Sequence, residues 1–245
     1  MGLWVLLLIA ALLIGGVFYY QKTYRYTIEA GLGDQVRVID VSKWNRTISW
    51  KKVKKSDIYY AMLRIGRGAD GDSSMAADSA FKKNYKSGKR YNIHMGVYFY
   101  SYAVTVKEAE AEADYCLSLL KKYGVDPEDL ELPLAYDVEE KRIFKTGRKN
   151  VTAMTVAFLD KIRDAGYQPM LYASDSALIR YFKHSKIKDY QIWVAHYGVE
   201  ESGPNYPYHF DMWQYTSKGI VPGANTSGKD NKGNCDINYY VIPED

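Results

Sequence analysis

Ile93-His-Met-Gly-Val-Tyr-Phe-Tyr-Ser-Tyr102, then the segment Thr105–Tyr123, then Leu132-Pro-Leu-Ala-Tyr-Asp-Val138 is the stretch that decides the fold. The two outer segments are short and apolar, and they read as buried strands. The middle segment carries apolar residues at helical spacing and stops at Gly124, a residue suited to a left-handed helix cap. Strand, helix and strand in succession make a crossover, which implies a parallel pair. The same rhythm extends in both directions. Val36–Val41 and Ile58–Ile65 precede it as strand candidates, and Gln168–Ala173, Gln191–Ala195, Phe210–Tyr215 and Asp236–Val241 follow. Asp78–Lys89, Val151–Ala165 and Ser174–Phe182 read as further helices. The last connections, 197–209 and 216–235, are rich in Gly, Pro and Asn and show no helical spacing. Eight strands between residues 36 and 245 predict an α/β fold, a closed TIM-like barrel lacking its last helices, rather than an open sheet. No internal repeat and no second domain are visible.

Composition agrees with one globular domain. The 245 residues are 47% hydrophobic and 25% charged, which excludes a disordered or collagen-like chain. A net charge of +4 is too small to argue for nucleic acid. Tyr accounts for 24 residues, a usage that suits either sugar faces or an aromatic core. The two cysteines build no disulfide framework and no zinc site. Cys116 falls on a helix outside the barrel and Cys235 just before the last strand, so two free thiols are expected.

Leu3–Tyr20 is an uncharged apolar run of 18 residues, long enough for a short transmembrane helix. No basic residue precedes it and no A-x-A site ends it, which favours a signal-anchor over a cleaved signal. Residues 1–20 are therefore expected to span a membrane, 21–35 to link, and 36–245 to form the barrel. Lys22 and Arg25 flank the run on its C-terminal side, so the positive-inside rule alone would keep the domain in the cytoplasm.

Several motifs read blandly. Gly66-Arg-Gly68-Ala-Asp-Gly71 fits G-x-G-x-x-G, but the next strand lacks the acidic residue a dinucleotide ribose requires, so a tight loop at the barrel top is expected. His94, His184, His196 and His209 fit no metal-ligand spacing, and no G-x-S-x-G elbow appears. Neither metal nor cofactor is expected.

The carboxylates are more informative. Asp137 and Glu139 stand at i and i+2 at the C-terminal end of a strand, so they face the same way with α-carbons roughly 6.5–7 Å apart. Asp40 ends the first strand and Asp236 begins the last. The C-terminal mouth of such a barrel is where catalytic groups sit. Paired acids there raise one another's pKa, a cost that points to use. Tyr98, Tyr100, Tyr172, Trp193 and Trp213 lie near strand ends and suit stacking against sugar faces.

Together these stretches resemble the glycoside hydrolase family 25 lysozymes. The resemblance runs from about Val38 to Tyr240. It rests on Ile39-Asp-Val-Ser-Lys-Trp44, Gly96-Val-Tyr-Phe-Tyr100, Leu134-Ala-Tyr-Asp-Val-Glu139, Trp193-Val-Ala-His-Tyr197, Met212-Trp-Gln-Tyr-Thr-Ser217 and Asp236-Ile-Asn238. It implies eight strands with about five helices, and cleavage of the β-1,4 bond between N-acetylmuramic acid and N-acetylglucosamine in peptidoglycan. It implies Glu139 as proton donor with Asp137, Asp40 and Asp236 as supporting acids, and it adds Gln214 to the substrate contacts. Many members have His where Phe99 stands. Strand parity turns Phe99 away from Tyr98 and Tyr100, so a packing difference is expected there.

The enzyme is expected to act as a monomer on glycan strands, outside the membrane because its substrate lies there. A non-catalytic glycan-binding module is one alternative, which the four acids argue against. An endo-N-acetylglucosaminidase or chitinase-like enzyme on the same barrel is another. The spacing of Asp137 and Glu139 exceeds the roughly 5–5.5 Å of a retaining acid–nucleophile pair, which favours assistance by the substrate's 2-acetamido group, with inversion as the rival.

Overall fold

The computed structural model describes residues 35–199, 202–224 and 234–241. The strands are β1 (Gln35–Val41), β2 (Tyr60–Arg67), β3 (Ala76–Ala77), β4 (His94–Tyr100), β5 (Leu134–Asp137), β6 (Pro169–Ser174), β7 (Gln191–Ala195), β8 (Met212–Ile220) and β9 (Asn234–Val241). Eight of them close a ring in the order β1-β9-β8-β7-β6-β5-β4-β2, with β2 pairing back onto β1. The two-residue β3 lies outside the ring, antiparallel to the end of β2. All eight expected strands are present.

One pairing departs from expectation. β1, β2, β4, β5, β6, β7 and β8 run parallel, but β9 is antiparallel to both its neighbours. Parallel pairing would require the chain to recross the full barrel length between Ile220 and Asn234, whereas an antiparallel return does not. The consequence is functional. β9 begins at the end where β1 finishes, and Asp236 stands directly opposite Asp40.

Seven helices are described where about five were expected: α1 (Trp50–Lys54), α2 (Phe81–Arg90), α3 (Val106–Tyr123), α4 (Lys141–Phe144), α5 (Arg148–Asp164), α6 (Asp175–Tyr181) and α7 (His184–Ile187). α1, α4 and α7 have four or five residues, too few to show a period in sequence. α3 is set by its ends. Thr105 and Glu108 exchange side-chain and backbone hydrogen bonds in a capping box, and Gly124 takes φ +64° beyond the last turn.

Strand parity divides the apolar residues into two layers. Inside the ring, Val38, Met62, Ala135, Met170 and Met212 pack beneath Tyr98, Tyr172 and Trp193. Gly96 belongs to this inner layer. A Cβ there would lie 2.6 Å from both Pro133 O and Met62 Sδ, so the narrow barrel requires glycine. Outside the ring, Leu63, Val97, Phe99, Tyr136 and Leu171 pack against Leu119, Leu120, Phe158 and Ile162 of the helices. Phe99 packs its ring on Tyr115 and Phe158, on the outer face as parity required. Cys116 and Cys235 are buried free thiols.

Among the described residues no helix is long and apolar enough to cross a membrane. The apolar run Leu3–Tyr20 and the linker to residue 34 lie outside the described residues.

Candidate active site

The inward positions at the strand ends open into a cavity of about 630 Å³ at the C-terminal mouth of the parallel strands. Asp40, Asp137, Glu139 and Asp236 all line it. Tyr98, Tyr100, Tyr172, Trp193 and Gln214 line it too. Nine of the ten expected site residues therefore share one space.

Trp213 does not. Its neighbours Met212 and Gln214 turn into the barrel, so Trp213 turns outward. It lies in the outer layer beside Tyr215 and Tyr239, and its indole N–H donates to the His196 carbonyl at 2.9 Å. Parity removes it from the sugar contacts expected of it.

A hydrogen-bonded floor holds the acids. Gln214 is its hub. It accepts from Tyr172 Oη at 2.8 Å and from Tyr197 Oη, and its Nε2 donates to Asp40 Oδ2 at 2.9 Å. Asn238 also donates to Asp40 Oδ2 at 2.9 Å, and its own carbonyl accepts from Trp193 Nε1 at 2.8 Å. Asp236 shares a hydrogen bond with Asp40. Two carboxyls directly opposite on paired strands repel when both are charged, and they cohere when one keeps its proton.

All four acids have raised pKa values, and burial is the largest cause for each. Asp236 is pushed up to about 8, with the Asp40 charge adding to burial. Asp137 is held well above the usual carboxylate range, with Glu139 and Asp40 adding and Arg64 opposing. Glu139 is raised by burial and by Glu140 and Asp40, while Tyr100 and Arg64 oppose. The expected repulsion is thus present but secondary to burial. Glu139 reaches solvent at the mouth while protein atoms crowd its other sides. Asp137 differs from the other three, because its Oδ1 is buried with no hydrogen-bond partner.

Sequence reasoning missed much of the polar wall. Lys43, Trp44, Arg64, Arg67, Tyr102 and Tyr197 also line the cavity. Trp44 and Tyr197 stand 64% and 47% exposed, presenting rings to solvent at the mouth. Arg64 could have been found by parity, two positions beyond the inward Met62. It is bound by Asp78 Oδ2 at 2.8 Å, so its charge is compensated. The G-x-G-x-x-G stretch runs from the end of β2, which carries Arg67, into the loop expected at the mouth, which carries Asp70. Among the described residues no cluster of His, Cys, Asp and Glu is arranged to hold a metal ion.

This acid-floored, aromatic-walled mouth suits acid catalysis on a sugar. Comparison with known proteins agrees. The sequence profile of glycosyl hydrolases family 25 matches residues 39–224. Lysozyme M1 of Streptomyces globisporus is 27% identical over 213 residues, covering 81% of this chain and 68% of the lysozyme. YegX of Escherichia coli O157:H7 is 24% identical over 229 residues, covering 91% of this chain and 76% of its own length. Among solved structures, the modular autolysin LytC of Streptococcus pneumoniae superposes with a TM-score of 0.70 at 28% identity, over 85% of this chain. This chain spans about half of that autolysin (48%), which has also been solved with a synthetic peptidoglycan ligand. With the profile spanning most of the barrel and the acids gathered at its mouth, the chain belongs to glycosyl hydrolases family 25.

Proposed function

We infer that this chain is a peptidoglycan hydrolase, a muramidase cleaving the β-1,4 bond between N-acetylmuramic acid and N-acetylglucosamine. Family membership and the lysozyme and autolysin relatives support the activity. The observation that carries the chemistry is the orphaned Asp137 Oδ1, buried beside Glu139 at the cavity floor. A buried acceptor without a donor costs about 1–3 kcal/mol. The N–H of a 2-acetamido group supplies that donor.

In the first step the acetamide oxygen attacks the anomeric carbon. Glu139 gives its proton to the departing glycosidic oxygen, and that bond breaks. Asp137 holds the acetamide N–H and its charge stabilises the cationic oxazolinium ring. In the second step Glu139, now a carboxylate, takes a proton from water as that water opens the ring. Asp40 and Asp236, sharing a proton, orient the floor. Retained β configuration in the first-formed product supports this course. An α-anomer would show inversion instead, and a glucosamine reducing end would move the cleaved bond.

The anchor belongs to the same reading. Leu3–Tyr20 spans the membrane, and the barrel stands outside it, where the wall is. Protease added to intact protoplasts then removes the barrel. Full protection would place it in the cytoplasm, on the side Lys22 and Arg25 favour.

A further inference from the structure

We propose that Arg67 and Lys43 form a subsite for a carboxylate carried on the 3-O-lactyl substituent of the muramyl residue. The proposal rests on the muramidase reading and names what that site selects.

The cavity's cations come from one side of the ring. Lys43 follows β1, and Arg64 and Arg67 lie on β2. The three are not equivalent. Arg64 is occupied by the buried Asp78, which also accepts from the Lys43 backbone N–H at 3.0 Å. Asp70, the acid closest in sequence to Arg67, is taken by Arg142 at 3.1 Å. Among the described residues no carboxylate pairs with the side chain of Arg67 or Lys43. Lys43 Nζ rests 4.9 Å from the Trp44 ring centre, and Arg67 stands 5.9 Å from that of Tyr102.

Arg67 is also held in place. Its Nη1 donates to Gly68 O at 2.9 Å, which leaves other N–H groups of the fork free. Gly68 is fixed from behind, since a Cβ there would lie 1.8 Å from Glu112 Oε1. The same Glu112 oxygen accepts from Tyr102 N at 2.9 Å. A half-buried guanidinium, preset by its own backbone and an aromatic ring, is suited to binding a carboxylate in fork geometry.

A neutral N-acetylglucosamine polymer offers this wall nothing. The muramyl residue does. Its lactyl ether leaves C3, next to the C2 that bears the acetamido group. With that group on Asp137 of β5, the lactyl arm leaves the same edge of the ring. The β2 wall stands across β4 from Asp137. The carboxylate has two sources, the lactyl acid itself on peptide-free strands or an acid of the attached peptide stem.

The experiment measures kcat/KM for wild type, Arg67→Met and Lys43→Met on three uncrosslinked substrates. Stem-bearing strands and amidase-stripped strands with free lactyl acid supply the first two kinds, and the third is their counterparts with every carboxyl converted to a neutral amide. Wild type should favour carboxylate-bearing strands over their amides by about tenfold, and Arg67→Met should lose far more on the carboxylate-bearing strands than on the amides, erasing that preference. Preference confined to stem-bearing strands assigns the stem, and preference persisting on stripped strands assigns the lactyl acid. Equal wild-type rates on acids and amides overturn the subsite, and this holds even should a variant fail to fold. Equal losses by the variant on both also overturn it. Wild type inert on every strand overturns the muramidase reading itself, and the subsite with it.

Discussion

Two buried carboxylates on opposite faces of the sheet, Glu112 and Asp137, differ in how their oxygens are satisfied. Glu112, on α3, accepts from Tyr136 Oη at 2.7 Å and from Tyr102 N at 2.9 Å, and Ser101 Oγ donates to the same Tyr136 oxygen. Asp137 follows Tyr136 on β5 and points the other way, into the cavity, with Oδ1 unpaired. Burial raises the pKa of both, but hydrogen bonds oppose it at Glu112, whereas Glu139 and Asp40 reinforce it at Asp137. One carboxylate is finished by the fold. The other is finished only by something that enters the mouth. A structural acid stabilises in proportion to its donors, and a functional acid is held ready at a cost to stability.

The largest expected effect tests the mouth alone. Glu139→Gln keeps the shape but has no proton to give, and reducing-end release from purified wall should fall about 10²–10⁴-fold. The thermal midpoint should stay near wild type, since Glu139 anchors nothing in the core. Asp137→Asn comes next, with a loss of about 10²-fold or more as the charge facing the oxazolinium disappears. Its midpoint should hold or rise, because a buried, repelled carboxyl has been neutralised. A midpoint lowered by Asp137→Asn would erase the contrast with Glu112.

Glu112→Gln sharpens the contrast from the other side. A carboxamide offers one acceptor oxygen where the site aims donors at two. The expected cost is about 2–3 kcal/mol of stability, read in denaturant unfolding. Activity of the remaining folded protein should fall far less than in Glu139→Gln. Loss of activity with full stability would place Glu112 in the chemistry.

The eight strands and the paired acids were legible because each rests on local pattern. Short apolar runs bounded by turns mark strands, and period-two parity places Asp137 and Glu139 together. The orientation of β9 was not legible, because no local pattern distinguishes a hairpin return from a crossover when the connection is long and irregular. Only with β9 antiparallel does Asp236, at a strand's beginning, reach the same mouth as Asp40 at a strand's end. Trp213 was misplaced by setting chemistry above parity, since it and Gln214 are neighbours on one strand and cannot both face inward. Arg64 was overlooked although parity with Met62 turns it inward, whereas Arg67 was not legible, because it lies beyond an irregularity in the β2 pairing where simple alternation breaks.

The smallest expected effect is on the pH dependence of stability, and Asp236 decides it. Its folded pKa of about 8 lies well above the roughly 3.9 of an unfolded Asp. Between those values the folded state binds the extra proton, so stability falls as pH rises through that window and levels off above it. Asp236→Asn removes this titration and leaves an amide able to donate to Asp40, as Asn238 and Gln214 already do. The variant's midpoint should therefore change less between pH 5 and 9, and at pH 9 exceed wild type by a few degrees, on the order of 1–2 kcal/mol. At pH 5 the two should nearly coincide, because wild-type Asp236 is then protonated and already donates. Parallel curves for both proteins across that range would show that Asp40 and Asp236 share no proton.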